Sequence, residues 1–162
     1  MSSPDQAGPW PDLAGRIVAD ASGRRHVLPI RVYFEDTDFS GLVYHATYLR
    51  WCERGRSDFL RLIGTDHRGL IEGTSGREPA SFVVRRMALE FLKPARIDEV
   101  LEVVTRVKAT TAATLTLDQR VIRGGVALFT AEVMVVLVSV SGKPQRLSTA
   151  LREALQSTRA RA

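Results

Sequence analysis

The apolar positions of the chain follow two periods, one typical of a helix and one typical of strands. Between residues 46 and 63 they recur three or four residues apart, as Tyr48 and Trp51 do, which places them on one face of a helix. Gly64 follows where helices commonly end. Gly55 lies inside the predicted helix at a cost of about 1 kcal/mol relative to Ala, so we expect another backbone to approach closely there.

The remaining apolar runs predict strands and two short helical segments. Alternation of apolar and polar residues is clearest over 98–109 and 113–123, where successive side chains face opposite ways. Gly124-Gly125 predicts a two-residue hairpin turn. The predicted strands are 28–36, 80–92, 98–109, 113–123 and 126–140, with short helices over 67–72 and 148–158.

One long helix followed by a meander of long strands predicts the α+β class. Because the apolar face of the helix must be buried, we expect an antiparallel sheet wrapped around one central helix, in a single domain spanning 27–158. Residues 1–26, which are rich in Pro and Gly, are predicted to be a flexible N-terminal arm. Such a sheet leaves an edge strand open, so self-association is expected.

Composition narrows the classes of function. The 162 residues are 44% hydrophobic and 25% charged, as in an ordinary globular domain. The N-terminus lacks a basic and apolar leader, no apolar run reaches bilayer length, and a single cysteine fits a reducing compartment. We therefore expect a cytoplasmic protein without membrane insertion. The net charge of +5 comes from scattered arginines rather than a basic stripe, so no nucleic-acid partner is expected.

The candidate chemistry precedes the long helix. Glu35, Asp36 and Asp38 stand before the turn Phe39-Ser40-Gly41, and His45 follows it. A carboxylate such as Asp38 is ionised at neutral pH and can act as a nucleophile or as a general base on water. Alternatively the three acids simply cap the turn and the helix, where unpaired N–H groups favour them.

His45 stands where the helix is predicted to begin. A helix N-terminus carries unpaired N–H groups and partial positive charge, so a backbone N–H there can polarise a carbonyl and hold an oxyanion. The alternative is a histidine hydrogen-bonded for structure. One imidazole with these acids is a weak metal signal, and neither a metal nor another cofactor is expected.

Other candidates for chemistry fail on simpler grounds. Cys52 falls on the apolar face of the predicted helix and is expected to be a small core residue. Ser40 is not in a G-x-S-x-G nucleophile elbow, and no phosphate-binding or dinucleotide-binding glycine motif occurs.

The run VYFEDTDFSGLVYHATYLRWCERGRSDFLR strongly resembles the acyl-CoA thioesterases of the YbgC type, which are associated with the Tol-Pal system. These are relatives of the 4-hydroxybenzoyl-CoA thioesterases in the hotdog-fold superfamily. The later segment SFVVRRMALEFLKPARIDEVLEV is similar to that family's second and third strands, and the likeness spans roughly residues 28–155. The resemblance implies the hotdog fold, a sheet wrapped around one long helix and assembled into dimers and tetramers.

The resemblance also implies roles for residues of the turn. It makes Asp38 the catalytic carboxylate and gives His45 two roles, with its backbone N–H polarising the thioester carbonyl and its ring orienting the substrate or Asp38. The residues expected to bind substrate are Phe34, Gly41, Val43 and Tyr44. This chain departs from the family pattern at Phe34, where a Tyr is frequent, and at Thr47, where an Asn is frequent.

The implied reaction is hydrolysis of a short-chain or aromatic acyl-CoA to the free acid and CoA, with acyl-carrier protein as an alternative thiol carrier. Basic residues such as Arg85, Arg86 or Lys93 would meet the CoA phosphates. The active unit is expected to be a homodimer or homotetramer. A hotdog dehydratase or hydratase is a second enzymatic hypothesis, which the D-T-D spacing disfavours. A non-catalytic acyl-CoA-binding or scaffold protein of the cell envelope system is the alternative outside enzymology.

Overall fold

The computed structural model describes residues 15–74 and 76–159, which form a six-stranded antiparallel sheet and three helices. The strands are β1 (Arg16–Asp20), β2 (Gly23–Arg31), β3 (Ala80–Phe91), β4 (Val100–Thr110), β5 (Thr114–Arg123) and β6 (Val126–Ser139). The helices are α1 (His45–Leu62), α2 (His67–Glu72) and α3 (Thr149–Thr158). The predicted α+β class and the predicted long helix are confirmed.

The order of strands across the sheet is β1-β2-β4-β5-β6-β3. Gly124 and Gly125 join β5 to β6 with positive φ angles of 54° and 82°, which confirms the predicted two-residue turn. β3 pairs with β6 on one side, and within the described chain its other side meets no strand. The long strand β3 is therefore an open edge of the sheet.

Helix α1 packs its apolar face against β4 and β5. Trp51 and Phe59 on that face are each only 1% exposed. A Cβ added at Gly55 would lie 2.9 Å from Val103 Cγ1 and 3.2 Å from Thr105 Oγ1. The sheet does lie close to Gly55, but the expectation that another backbone makes the close approach is wrong, because these nearest atoms belong to side chains of β4.

The prediction of a flexible arm over residues 1–26 is wrong for the described residues that it covers. β1 and the first half of β2 form a hairpin there, with Arg16 opposite Val27 and Asp20 opposite Gly23. Residues 1–14 lie outside the described residues. The hairpin was missed because β1 is short and because charged and small residues surround its turn, so it has little alternating pattern.

Polar groups anchor this hairpin to α1. His26 is fully buried, and its Nε2 lies 2.6 Å from Asp58 Oδ2 on the helix. The same carboxylate oxygen accepts a hydrogen bond from the Gly15 N–H at 2.7 Å. Hydrophobic periodicity does not report such a contact, since it depends on two polar residues far apart in sequence.

The predicted strand 28–36 ends earlier than expected. β2 stops at Arg31, and Phe34–Asp36 form a turn of 3-10 helix instead. The chain therefore leaves the sheet before its acids, which places them in a connection leading to α1. No helix in the described ranges combines the length and apolar character needed to cross a bilayer.

Candidate active site

The turn between the 3-10 segment and α1 is closed by its own backbone. The Asp38 N–H donates to the Leu42 carbonyl at 2.9 Å, and the Gly41 N–H donates to the Asp38 carbonyl at 2.9 Å. Gly41 has a φ of 77°, a left-handed conformation that glycine adopts without strain, and a Cβ there would meet nothing within 4 Å. The turn is thus held by its own hydrogen bonds and is exposed at the surface.

Asp38 presents its carboxylate at the surface of this turn. Its Oδ1 accepts hydrogen bonds from the Ser40 backbone N–H at 2.8 Å and from Ser40 Oγ at 2.5 Å. The Ser40 hydroxyl, followed by its N–H, holds the pKa of the Asp38 carboxyl below its usual value. Within the described chain Oδ2 has no hydrogen-bond donor, so one oxygen of an ionised carboxylate is free to react.

Asp36 holds the turn and the helix start together. Its side chain accepts the Tyr33 N–H at 2.8 Å, and its carbonyl accepts the Tyr44 N–H at 2.9 Å and the Thr47 hydroxyl at 3.3 Å. The structural alternative therefore fits Asp36, and it also describes Oδ1 of Asp38, which accepts from Ser40 within the turn. It assigns no contact to Oδ2 of Asp38 among the described residues. Glu35 lies exposed beside them.

α1 begins without a side-chain cap. Tyr44 occupies the N-cap position with extended backbone, and no side chain accepts from the first turn. Thr47 lies inside the first turn and is buried, so it is not the capping residue. Among the described hydrogen bonds, none uses the backbone N–H of His45 or Ala46. The positive end of α1 is therefore open beside the turn.

Aromatic rings surround His45. Its ring centroid lies 4.4 Å from that of Tyr44 and 6.3 Å from that of Phe91, at the end of β3. Phe34 and Phe39 project from the same segment with exposed fractions of 82% and 109%. The surface around the free carboxylate oxygen is therefore apolar and accessible.

The predicted site residues do not all face this surface. Phe34, Gly41, Tyr44 and His45 are exposed around the turn, whereas the Val43 side chain is 7% exposed and belongs to the core. The Val43 N–H donates to the Ala95 carbonyl at 2.9 Å. Val43 thus fixes the turn to the domain, and only its backbone could reach a substrate. No hydrogen bond links Asp38 and His45 in the described residues.

Sequence reasoning missed Ser40 as the residue that orients Asp38. A serine two residues after an aspartate is a common partner in a local turn, so the sequence carries a signal for this role. Cys52 is fully buried, as expected, and burial raises the pKa of its thiol to about 12, so it is not a nucleophile. In residues 15–74 and 76–159 no three His, Cys, Asp or Glu side chains are grouped to hold a metal ion.

Known proteins are similar to this chain, and the family match covers the turn and α1. A sequence profile of the thioesterase-like superfamily matches residues 32–155. The acyl-CoA thioester hydrolase YbgC of Escherichia coli O6:H1 is 39% identical over 121 residues, covering 74% of this chain and 87% of that protein. The acyl-CoA thioesterase YbgC of Haemophilus influenzae is 38% identical over 112 residues, covering 69% of this chain and 79% of its own length.

A solved structure agrees with the sheet and helix described above. A probable thioesterase from Bartonella henselae superposes with a TM-score of 0.73 at 44% identity, covering 76% of this chain and 99% of the other. The architecture that the sequence predicted, a sheet wrapped around one long helix, is thus the hotdog fold of known thioesterases.

Proposed function

We propose, for a chain that belongs to the thioesterase-like superfamily, that this protein hydrolyses acyl-CoA thioesters to a carboxylic acid and free CoA. One observation carries the proposal. A free carboxylate oxygen of Asp38 and the open N-terminal end of α1 lie on the two ends of one rigid turn. A nucleophile or base together with oxyanion donors is the minimum that acyl transfer requires.

The reaction begins at the thioester carbonyl carbon. Either Asp38 attacks it directly and forms a mixed anhydride that water then hydrolyses, or Asp38 takes a proton from the water that attacks. In both routes the carbonyl oxygen becomes an oxyanion held by the His45 N–H at the start of α1. The C–S bond then breaks, and CoA leaves as a thiolate that takes up a proton. The His45 ring orients the substrate or Asp38.

The substrate would lie on the aromatic surface around the turn. The exposed rings of Phe34 and Tyr44 favour an acyl group that is apolar or aromatic next to its thioester carbonyl. Phe34 contributes no hydroxyl, so the site depends on Asp38 and the helix end for its polar contacts. Lys93, exposed just after β3, and Arg85 and Arg86 on that strand are the candidates for meeting the phosphates of CoA.

The working unit in this proposal is at least a homodimer in the cytoplasm. β3 leaves one side of its backbone unpaired and exposes Val83 and Val84, which is the kind of edge that pairs with another chain. A homotetramer, an acyl-carrier-protein substrate and a role beside the Tol-Pal system are further expectations from the resemblance.

The test is release of free thiol from short, medium and aromatic acyl-CoAs by the wild type and by Asp38→Asn. We expect the variant to lose on the order of 10²–10⁴-fold in kcat/KM, because the free oxygen becomes part of an uncharged amide. Glu35→Gln is the matched control, since it makes the same chemical change in a neighbouring exposed acid, and it should retain activity.

Turnover that is indifferent to Asp38 would overturn the mechanism. Absence of turnover on every acyl-CoA, with tight binding of the same compounds, would instead favour a non-catalytic acyl-CoA-binding protein. Circular dichroism of each variant verifies that the fold is intact.

A further inference from the structure

A buried cation lies in the middle of α1. Arg56 is only 8% exposed, and in the described chain its one hydrogen-bond partner is the neutral oxygen Gln119 Oε1, 2.9 Å from Nη1. Among described residues no carboxylate oxygen comes within 4.0 Å of its guanidinium. Buried arginines normally face an anion, because burial disfavours an uncompensated charge. The charge of Glu53, three residues earlier on α1, acts on Arg56 without forming an ion pair with it.

Three groups fix Gln119 in the orientation that Arg56 needs. Gln119 is fully buried, and its Nε2 donates both to the Cys52 carbonyl and to Thr105 Oγ1, each at 2.9 Å. Because its amide nitrogen is engaged on that side, its oxygen must point at Arg56. We call Gln119 with these two acceptors the Gln119 brace. It holds the guanidinium in place without neutralising it.

Arg56 lines a cavity of about 250 Å³ that is enclosed by α1, α2 and the strands β3, β5 and β6. Most of the other walls are apolar, with Phe82, Leu117 and Val135 contributed by three strands. Glu53 lies at this cavity on the exposed side of α1 and accepts the Ser57 hydroxyl at 2.5 Å. A space of this size suits a small ligand, since sites for drug-sized molecules are usually about 300–1,000 Å³.

The cavity lies too far along α1 to serve Asp38 of the same chain. Arg56 follows His45 by eleven residues, which is about 16 Å of helix. A short acyl group whose carbonyl lies at the turn cannot span that distance. If this cavity serves a thioester that is attacked at Asp38, that Asp38 must belong to another chain.

The open edge of β3 provides that partner. Phe91, at one end of β3, contacts the His45 ring, while Phe82, near the other end, lines the Arg56 cavity. Two copies that pair antiparallel through β3 about a two-fold axis exchange these ends. The Asp38 turn of each copy then faces the Arg56 cavity of the other.

We propose that Arg56 of one chain binds an oxygen acceptor at the far end of the acyl group whose thioester carbonyl is attacked at Asp38 of a second chain. Arg56 is then a specificity-determining residue, selecting acyl groups that end in a hydroxyl or a carboxylate over their purely apolar counterparts. This inference rests on the thioesterase activity proposed above and adds the nature of the acyl group.

The first test compares hexanoyl-CoA, 6-hydroxyhexanoyl-CoA and adipoyl-CoA in the wild type and in Arg56→Met. We expect the wild type to prefer the two oxygen-terminated substrates, and the variant to lose about 10- to 100-fold in kcat/KM on them while hexanoyl-CoA changes little. Comparison of 6-hydroxyhexanoyl-CoA with adipoyl-CoA shows whether Arg56 prefers a hydroxyl or a carboxylate. Arg54→Met, which removes a charge from the exposed face of the same helix, is the matched control and should keep the wild-type preference.

If the wild type hydrolyses hexanoyl-CoA with the same kcat/KM as the other two substrates, the specificity role of Arg56 is wrong, and no variant is needed to show it. The thioesterase activity itself would stand. An equal loss on all three substrates in Arg56→Met, with Arg56→Lys restoring nothing selectively, would assign Arg56 a purely structural role.

The second test asks whether the site spans two chains. Asp38→Asn and Arg56→Met subunits are co-expressed, and the mixture is assayed with the preferred oxygen-terminated substrate. Random pairing makes half of the dimers hybrid, each with one intact site, so we expect about a quarter of wild-type activity. If Asp38 and Arg56 served the same chain, the mixture would show no more activity than Arg56→Met alone, and the cross-chain arrangement would be wrong.

Discussion

The Asp38 turn and the Gln119 brace hold a charged side chain in opposite ways. Asp38 is exposed, and its partners lie two to four residues away, in Ser40, Gly41 and Leu42. Arg56 is buried, and its partner Gln119 is 63 residues away. Exposed charge held by local hydrogen bonds contributes little to stability, whereas a buried charge held by distant ones is coupled to the packing of the whole domain. The two can therefore be separated by mutation.

The largest effect on stability is expected at the brace. Gln119→Leu leaves the Arg56 guanidinium, the Cys52 carbonyl and the Thr105 hydroxyl without this buried partner. We expect the free energy of unfolding to fall by roughly 3 kcal/mol or more, as measured by urea denaturation. An unchanged midpoint would show that the brace is not a structural element. Gln119→Glu is the matched variant, because it supplies Arg56 with a carboxylate.

A second variant tests how α1 packs against β4, separately from the hydrogen bonds of Gln119. Gly55→Leu introduces a side chain where even a Cβ lies 2.9 Å from Val103 Cγ1, so α1 must move away from β4. We expect a loss of about 1–3 kcal/mol in unfolding free energy from overpacking. Gly41→Leu, in open space on the turn, tests the other region, and its cost should come from its positive φ alone. Equal losses of unfolding free energy in Gly55→Leu and Gly41→Leu would contradict the contrast between the exposed turn and the buried helix face.

A substitution in the Asp38 turn should lower the enzymatic activity and leave the stability of the fold unchanged. Ser40→Ala removes the hydroxyl that most lowers the pKa of Asp38, so that pKa should rise toward its ordinary value. If Asp38 reacts as the ionised form, activity is lost as pH falls through its pKa, and the acid limb of the kcat/KM profile should move to higher pH. We expect about a tenfold lower kcat/KM and an unfolding midpoint within error of the wild type. An unmoved acid limb would remove Ser40 from the mechanism.

The smallest effect is expected where the N-terminal hairpin meets α1. Burial lowers the pKa of His26 below 6.5 although Asp58 opposes it. The unfolded chain then binds the proton first as pH falls, so stability should decrease from about pH 7 toward pH 5. His26→Gln, measured by urea unfolding at pH 7.5 and 5.5, should flatten that decrease. A decrease of the same size in the variant would assign it to other groups.

These differences explain what could be predicted from sequence. The helix, the long strands and the turn with Asp38 and His45 carry local signals, namely periodicity, glycines at turns and acids before a helix. Gln119 carries none, since it is a polar residue inside an alternating strand and its burial is decided by Arg56 on another element. The pairing of His26 with Asp58 depends likewise on tertiary contact. Ser40 carries a local signal for its role, because it stands two residues after an aspartate.

The two edges of the sheet differ in a way that limits polymerisation. β3 offers twelve residues to a neighbouring chain, whereas β1 offers five and ends at Asp20, which is paired with Arg25 and Arg106. Short edges that carry charge resist the addition of strands. If two chains join through β3 as proposed, the strands of the described residues left at the outside of the continuous sheet are both β1. Growth by edge addition would then end at two chains, and the proposed dimer would be protected from forming fibres.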